Sequence, residues 1–319
     1  MEHLQIEVDS LDLGDRTFVV SCGFELSPLI ASIQALGLLQ PPLVRLRPDG
    51  RRQVICGWQR VLALVQLQVD RLPVSQVPTE TPPQWCLLAS LHDNARGRGF
   101  NPWEAAAMIH KLLQLFPARE VQRQHLPLLG LPPSQAILNR YQALYRLEEP
   151  WPGLVASQRL TAAAGAHLSQ WPPADRQALL PWWQALALSH SNQLALLEYL
   201  TLLSRRSGSS PAQWLARPEL AGLLSDPALT PRDREAQLLA TLRRWCYPRL
   251  SEVQARLQEN LQALGLWQHP TLRLHHSPAF EAPDWRLEVR FQDRQQLRQQ
   301  LHRLQDLLDH PAWTDLLDL

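Results

Sequence analysis

Leu29, Ile33 and Leu36 are spaced four and three residues apart, as on one face of a helix. They predict a helix over residues 26–38, with Gly37 where the helix must stop. The pattern then shortens to strand length. Residues 43–47 and 52–56 read as two strands of a hairpin around Pro48-Asp49-Gly50, because proline presets φ and glycine accepts φ > 0. A helix over residues 59–67 and a strand over residues 72–77 follow, and the apolar run at residues 17–21 reads as a further strand upstream. Pro78, Pro82 and Pro83 break the pattern and close an α/β domain over residues 1–84.

From Trp85 onward the apolar residues keep helical spacing, punctuated by proline pairs at 132–133 and 172–173 and by Ser/Gly at 207–210. Prolines at first-turn and inter-helix positions delimit helices, since a missing N–H costs little there. A helical domain over residues 85–250 is expected. The tail, residues 251–319, differs: Leu250, Val253, Leu257, Leu261 and Leu264 mark a helix ending at Gly265, and two alternating segments at 272–275 and 285–291 mark strands. A last helix carries Leu297, Leu301, Leu304 and Leu308. So small an α+β unit gains by pairing with a second copy, and a homodimer through residues 251–319 is expected. The fold class is therefore multi-domain: an α/β domain, a helical middle and a small α+β end.

Composition supports a folded chain: 319 residues, 45% apolar and 19% charged. No apolar run approaches the roughly 18 residues of a membrane span, and the acidic start is unlike a signal peptide, so a cytoplasmic protein without a membrane partner is expected. Cys22, Cys56, Cys86 and Cys246 are far apart without a C-x-x-C pair, and suit reduced, buried thiols. The histidines have no metal spacing, and adjacent His275 and His276 would point to opposite faces of a strand. The net charge of +1 conceals polarity: residues 1–41 hold six acids and one base, whereas residues 42–147 hold thirteen bases and six acids. Lys111 is the sole lysine beside thirty arginines. Arginine serves nearly every positive charge in this chain, so position and not residue type must argue for phosphate recognition.

One stretch is specific. It runs S-I-Q-A-L-G-L-L-Q-P-P-L-V-R, then V-I-C-G-W-Q-R-V-L-A-L, then R-L-P-V, within residues 29–77. Its order and spacing resemble the N-terminal domain of the ParB chromosome and plasmid partition proteins, a fold shared with sulfiredoxin. Asp93-Asn94-Ala95-Arg96-Gly97 falls where that family has ENxQR, and Asn101-Pro102-Trp103-Glu104-Ala105-Ala106 follows its NPIEEA. The resemblance implies a site for the triphosphate and magnesium of CTP, a DNA partner and a partner ATPase.

The residues agree in outline, since a glycine at a strand end before a helix N-terminus leaves free N–H groups facing an anion. Against the family's GERRxRA, Gly57, Arg60 and Ala63 match, while Trp58, Gln59 and Leu62 replace one Glu and two Arg. Each lost arginine contact removes roughly 1.5–3 kcal/mol of charge-assisted bonding. The expected anion set is Gly57, Gln59, Arg60, Asn94, Arg96 and Arg98, with Asp93 as the metal carboxylate. A plain strand-to-helix turn with Arg60 in solvent would use the same residues. Sulfiredoxin chemistry needs a cysteine where Trp58 stands, and nuclease chemistry needs more than Asp93.

Residues 119–147 have the layout of a helix-turn-helix, in which Ser134 caps the second helix and Gln135, Asn139 and Arg140 are the candidate DNA contacts. Packing alone also accounts for much of that helix. The leading expectation is a nucleoid-associated partition or regulatory protein with its nucleotide switch weakened or lost. A nucleotide-dependent switch or phosphotransfer enzyme, and a non-catalytic adaptor, are the alternatives.

Overall fold

Strands β1 (Glu2–Glu7), β2 (Leu43–Leu46), β3 (Arg52–Cys56) and β4 (Arg71–Val77) form one sheet in the order β1-β4-β2-β3. The computed structural model describes residues 1–275 and 285–317. β2 and β3 are the hairpin around Pro48-Asp49-Gly50, pairing antiparallel with Val44 opposite Val54. β2 runs parallel to β4 with Leu43 opposite Ser75, and β1 adds antiparallel to the far side of β4 with Leu4 opposite Val74. The sequence pattern does not single out β1, because only Ile6 of its residues is buried and both ends are glutamates.

Helix α1 (Ser27–Leu36) ends at Gly37, whose φ of 73° lies in the left-handed region. Helix α2 (Trp58–Gln66) follows β3 directly and buries Trp58, Val61, Ala63 and Leu64. Its apolar face joins Val44, Val54, Leu72 and Val74 of the sheet in one core. Burying side chains of this size stabilises by about 1.5–3 kcal/mol each before entropy is counted.

The strand expected at residues 17–21 is absent. Phe18, Val19 and Val20 are buried, as their character demands, but the segment runs as a strap beside the sheet and joins no ladder. Its backbone is satisfied by side chains instead, chiefly from α3 (Pro83–Gly97) and α4 (Pro102–Leu115). Ser90 Oγ donates to the Phe18 carbonyl at 2.8 Å, and Lys111 Nζ donates to the carbonyls of Arg16 and Thr17 at 2.6 and 3.1 Å.

The chain folds as two units, one of residues 1–180 with 188–197 and another of 181–187 with 198–319. In the first unit, the continuous helix expected over residues 119–129 breaks into short turns: Ala118–Glu120, a wide π turn over Val121–His125 and a 3-10 turn over Pro127–Leu129. Pro127 has no N–H to continue a regular ladder, and the Leu126 N–H reaches back five residues to the Val121 carbonyl. After Gly130 comes the helix Gln135–Leu144, which buries Leu138, Tyr141 and Leu144. It packs closely on the helix Ala162–Leu168, where Gly165 leaves no room for a Cβ beside Leu144 Cδ1.

The second unit repeats one device. Helices Pro211–Leu215, Pro218–Ser225, Pro231–Cys246 and Pro248–Ala263 all begin on proline, the position where a missing N–H costs least. Ser210 and Thr230 complete capping boxes before two of them. Strands β5 (Leu272–His275) and β6 (Arg286–Val289) pair antiparallel, so among the described residues each keeps an open edge. His276 lies outside the described residues. The helix Arg294–Leu308 divides its leucines: Leu304 and Leu307 pack into a core with Leu257, Leu261 and Leu272, while Leu301 and Leu308 are 49% and 66% exposed.

Candidate functional site

A cavity of about 290 Å³ opens where the strap, the N-terminus of α2 and the C-terminal half of α3 meet. Val19, Val20 and Ile55 give it an apolar wall, and Ser21, Asn94 and Arg60 supply polar groups. Its size is at the lower end of the roughly 300–1,000 Å³ usual for small-molecule sites.

Gly57 turns β3 into α2 at φ 82° and ψ 27°, a left-handed conformation that glycine adopts without strain. No side chain caps the helix there, so its first N–H groups are left to other partners. The Arg60 guanidinium folds back over the turn, and a Cβ on Gly57 would stand 3.0 Å from it. It donates to the Gln40 carbonyl at 2.7 Å and sits 3.6 Å from the Asp93 carboxylate. A cation at a helix N-terminus opposes the dipole, and Asp93 offsets it. Asp93 remains 45% exposed, so the pair is loose and screened by water.

Arg98 is held far more firmly. Its guanidinium meets both oxygens of Glu104 at 2.7 Å and reaches Ser21 Oγ at 3.2 Å. Glu104 has no solvent exposure, yet it is fully engaged. It also accepts from the Cys22 N–H at 3.0 Å and from the Asn101 N–H at 3.1 Å, the latter closing a capping box at the start of α4. Asn101 Nδ2 donates to the Cys22 carbonyl at 2.9 Å. Strap, α3 and α4 are therefore joined around one buried carboxylate.

Of the residues expected to meet an anion, Gly57, Gln59, Arg60, Asn94 and Arg98 line this cavity together with Asp93. Asn94 spends one amide hydrogen on the Ser90 carbonyl. Arg96 is exposed and borders an adjoining depression with Gln40, His92 and Asp93. Glu104 was not among the expected site residues, although it lies in the stretch that follows NPIEEA and has the Asn-x-x-Glu spacing of a capping box. Cys56 also comes near: burial above all, with the charge of Asp93 adding, pushes its thiol up to about 12, against the pull of Arg60. A thiol raised this far is protonated at neutral pH, which disfavours nucleophilic chemistry. Trp58 is 6% exposed beneath Arg16, whose guanidinium lies 4.9 Å from the ring centre.

The residues fit a metal–triphosphate poorly. Of the residues lining the cavity, Asp93 alone carries a carboxylate, and it is turned to Arg60. Magnesium prefers one or two carboxylates together with phosphates and water, and a triphosphate needs several free cations. Here the two arginines of the cavity each have a carboxylate of their own.

On the helix Gln135–Leu144, Ser134 Oγ accepts from the Ile137 N–H at 3.4 Å and caps the N-terminus. Gln135, Asn139 and Arg140 are exposed, with the Gln135 amide donating to Asn139 at 2.8 Å. Arg119, Arg123 and Arg146 are also exposed. Tyr145 stacks on His110 and Trp103 of α4, with ring centres 4.3 and 5.4 Å apart, so this helix is tied to the one Glu104 caps.

A 97-residue segment, 30% of this chain, is 31% identical to the probable chromosome-partitioning protein ParB of Pseudomonas putida, found as two sequences. Over these 97 residues the chain is similar to ParB. It spans about a third of the length of these curated ParB relatives, 33% in each. No protein-family model matches it. Two crystal structures of C-terminally truncated ParB from Caulobacter crescentus are also similar. The one complexed with CTP-gamma-S is 22% identical, covering 58% of this chain and 99% of that one with a TM-score of 0.26. The one complexed to the centromeric parS site is 19% identical, covering 61% and 98% with a TM-score of 0.34. No described helix is long and apolar enough to cross a membrane.

Proposed function

We propose that this chain is a DNA-associated protein of the partition type whose nucleotide switch is weakened. The 31% identity to ParB over 97 residues carries the reading. The basic balance of residues 42–147 and the exposed Arg119, Arg123, Arg140 and Arg146 support DNA contact, with Ser134, Gln135 and Asn139 on the same helical segment. Contacts of this kind go mainly to phosphates and position the protein on DNA. CTP with magnesium is the nucleotide that the family resemblance implies. The weakening follows from charge: Trp58, Gln59 and Leu62 bring none to α2, and Arg60 and Arg98 are each neutralised within the protein. A homodimer through residues 251–319, a nucleoid location and a partner ATPase complete the reading. The open strand edges and the exposed Leu301 and Leu308 support the dimer.

Calorimetric titration with mixed-sequence DNA at several salt concentrations tests it. Four arginines on phosphates give a slope of about −3 to −4 in log K against log salt. Binding that is absent or indifferent to salt rejects the DNA role. The same titration with CTP and Mg²⁺ present reads the switch: a weakened one leaves DNA affinity within threefold.

A further inference from the structure

The cavity arginines differ in what it takes to free them, and that difference sets the charge of a ligand. Arg98 is bound through both arms to a carboxylate with no exposure, and releasing it would strand Glu104 in the interior. It is unavailable to a ligand. Arg60 has one hydrogen bond, to the Gln40 carbonyl, and a 3.6 Å contact to a carboxylate that is nearly half exposed. An incoming anion can replace Asp93 there, because the displaced carboxylate returns to water at little cost. Arg96 borders the adjoining depression and does not line the cavity.

Among the described residues, one exchangeable cation therefore faces the cavity. It stands over the uncapped N-terminus of α2, where free N–H groups and the helix dipole favour the same anion. The remaining wall is neutral or apolar: Val19, Val20, Ile55, Ser21 and Asn94. A second or third phosphate would meet no free cation and would approach Asp93 instead.

Resting on the nucleotide reading of this cavity, we propose that it binds a nucleoside monophosphate without a metal ion. The phosphate takes the place of Asp93 on Arg60, and the nucleoside lies along the Val19–Val20 wall. Asp93 is then a competitor for Arg60 and not a metal ligand, and the two roles predict opposite effects of its removal.

The test is calorimetric titration of the full chain with cytidine, CMP and CTP, each with and without Mg²⁺, repeated with Asp93→Asn and Arg60→Gln. The expected result is CMP binding at least tenfold tighter than cytidine, unchanged by Mg²⁺, with CTP–Mg²⁺ no more than threefold tighter than CMP. Asp93→Asn should tighten CMP three- to tenfold, and Arg60→Gln should bring CMP down to the level of cytidine. A CTP–Mg²⁺ complex tenfold tighter than CMP, or weaker CMP binding in Asp93→Asn, overturns the proposal while leaving a nucleotide site in place. Failure of all three compounds to bind removes the nucleotide reading itself. A thermal melt of each variant, expected within a few degrees of the parent, separates lost binding from lost folding.

Discussion

Arg98 and Glu104 face each other across the short loop between α3 and α4, joined by two contacts of 2.7 Å, and the carboxylate is sealed from solvent. The pair holds the strap, through Ser21 and Cys22, to two helices at once.

Replacing Arg98 by alanine leaves a buried charge with only two backbone N–H partners. Breaking buried pairs in this way costs about 3–5 kcal/mol, and the 35% exposure of the Arg98 side chain places this one near 3 kcal/mol. Arg98→Lys should recover less than half, because an ammonium cannot match both carboxylate oxygens. Urea unfolding followed by tryptophan fluorescence measures this, and a loss below about 1 kcal/mol for the alanine variant would contradict the role given to the pair.

Gly165→Ala should destabilise the contact between its helix and Gln135–Leu144. The added methyl collides with Leu144, which is fully buried and has nowhere to turn. Overpacking of this kind costs about 1–3 kcal/mol. Gly153→Ala, with nothing within 4 Å of the new Cβ, is the control and should stay within about 1 kcal/mol of the parent.

His125 is 5% exposed and neither ring nitrogen has a hydrogen-bond partner among the described residues. Burial lowers its pKa from the usual 6.5, with Glu120, 3.8 Å away, opposing and His92 reinforcing. The folded state therefore keeps this ring neutral while the unfolded chain protonates it, so stability falls as pH drops below about 6.5. His110 contributes in the same direction, through burial and then the charge of Lys111. His125→Phe should flatten part of the stability profile between pH 7.5 and 5. An unchanged slope in that variant would assign the effect elsewhere.

Much of the α/β domain was legible because its signals are local. The hairpin rests on Pro48-Asp49-Gly50, and α2 and β4 announce themselves by period, as the structure repeats within a residue at each end. The strap was misread for a physical reason. Residues 17–21 have strand composition because they are buried, but whether a buried extended segment joins a ladder depends on partners seventy or more residues away, such as Ser90 and Lys111. The same limit hid half of the site. The positions of Gly57 and Arg60 follow from their place between β3 and α2, whereas the pairings of Arg60 with Gln40 and of Arg98 with Glu104 follow no helical or strand period.

For the tail, Leu301→Glu together with Leu308→Glu tests pairing of two copies. These side chains are exposed and contribute little to the core around Leu304 and Leu272, so the variant should fold. Analytical ultracentrifugation should show the parent as a dimer and the variant shifted to monomer by at least tenfold in dissociation constant. A parent that sediments as a monomer at tens of micromolar rejects the dimer.

The strap has one more consequence, for how the chain tolerates change. A sheet ladder is indifferent to side-chain identity, since any residue but proline supplies the same N–H and C=O groups. The carbonyls of Arg16, Thr17, Phe18 and Cys22 and the Cys22 N–H are instead met by Ser90, Asn101, Glu104 and Lys111. A substitution in α3 or α4 can therefore orphan a main-chain group in a distant segment without touching that segment's own residues. The strap's conformation is in this sense encoded 72 to 95 positions downstream of where it lies in the chain.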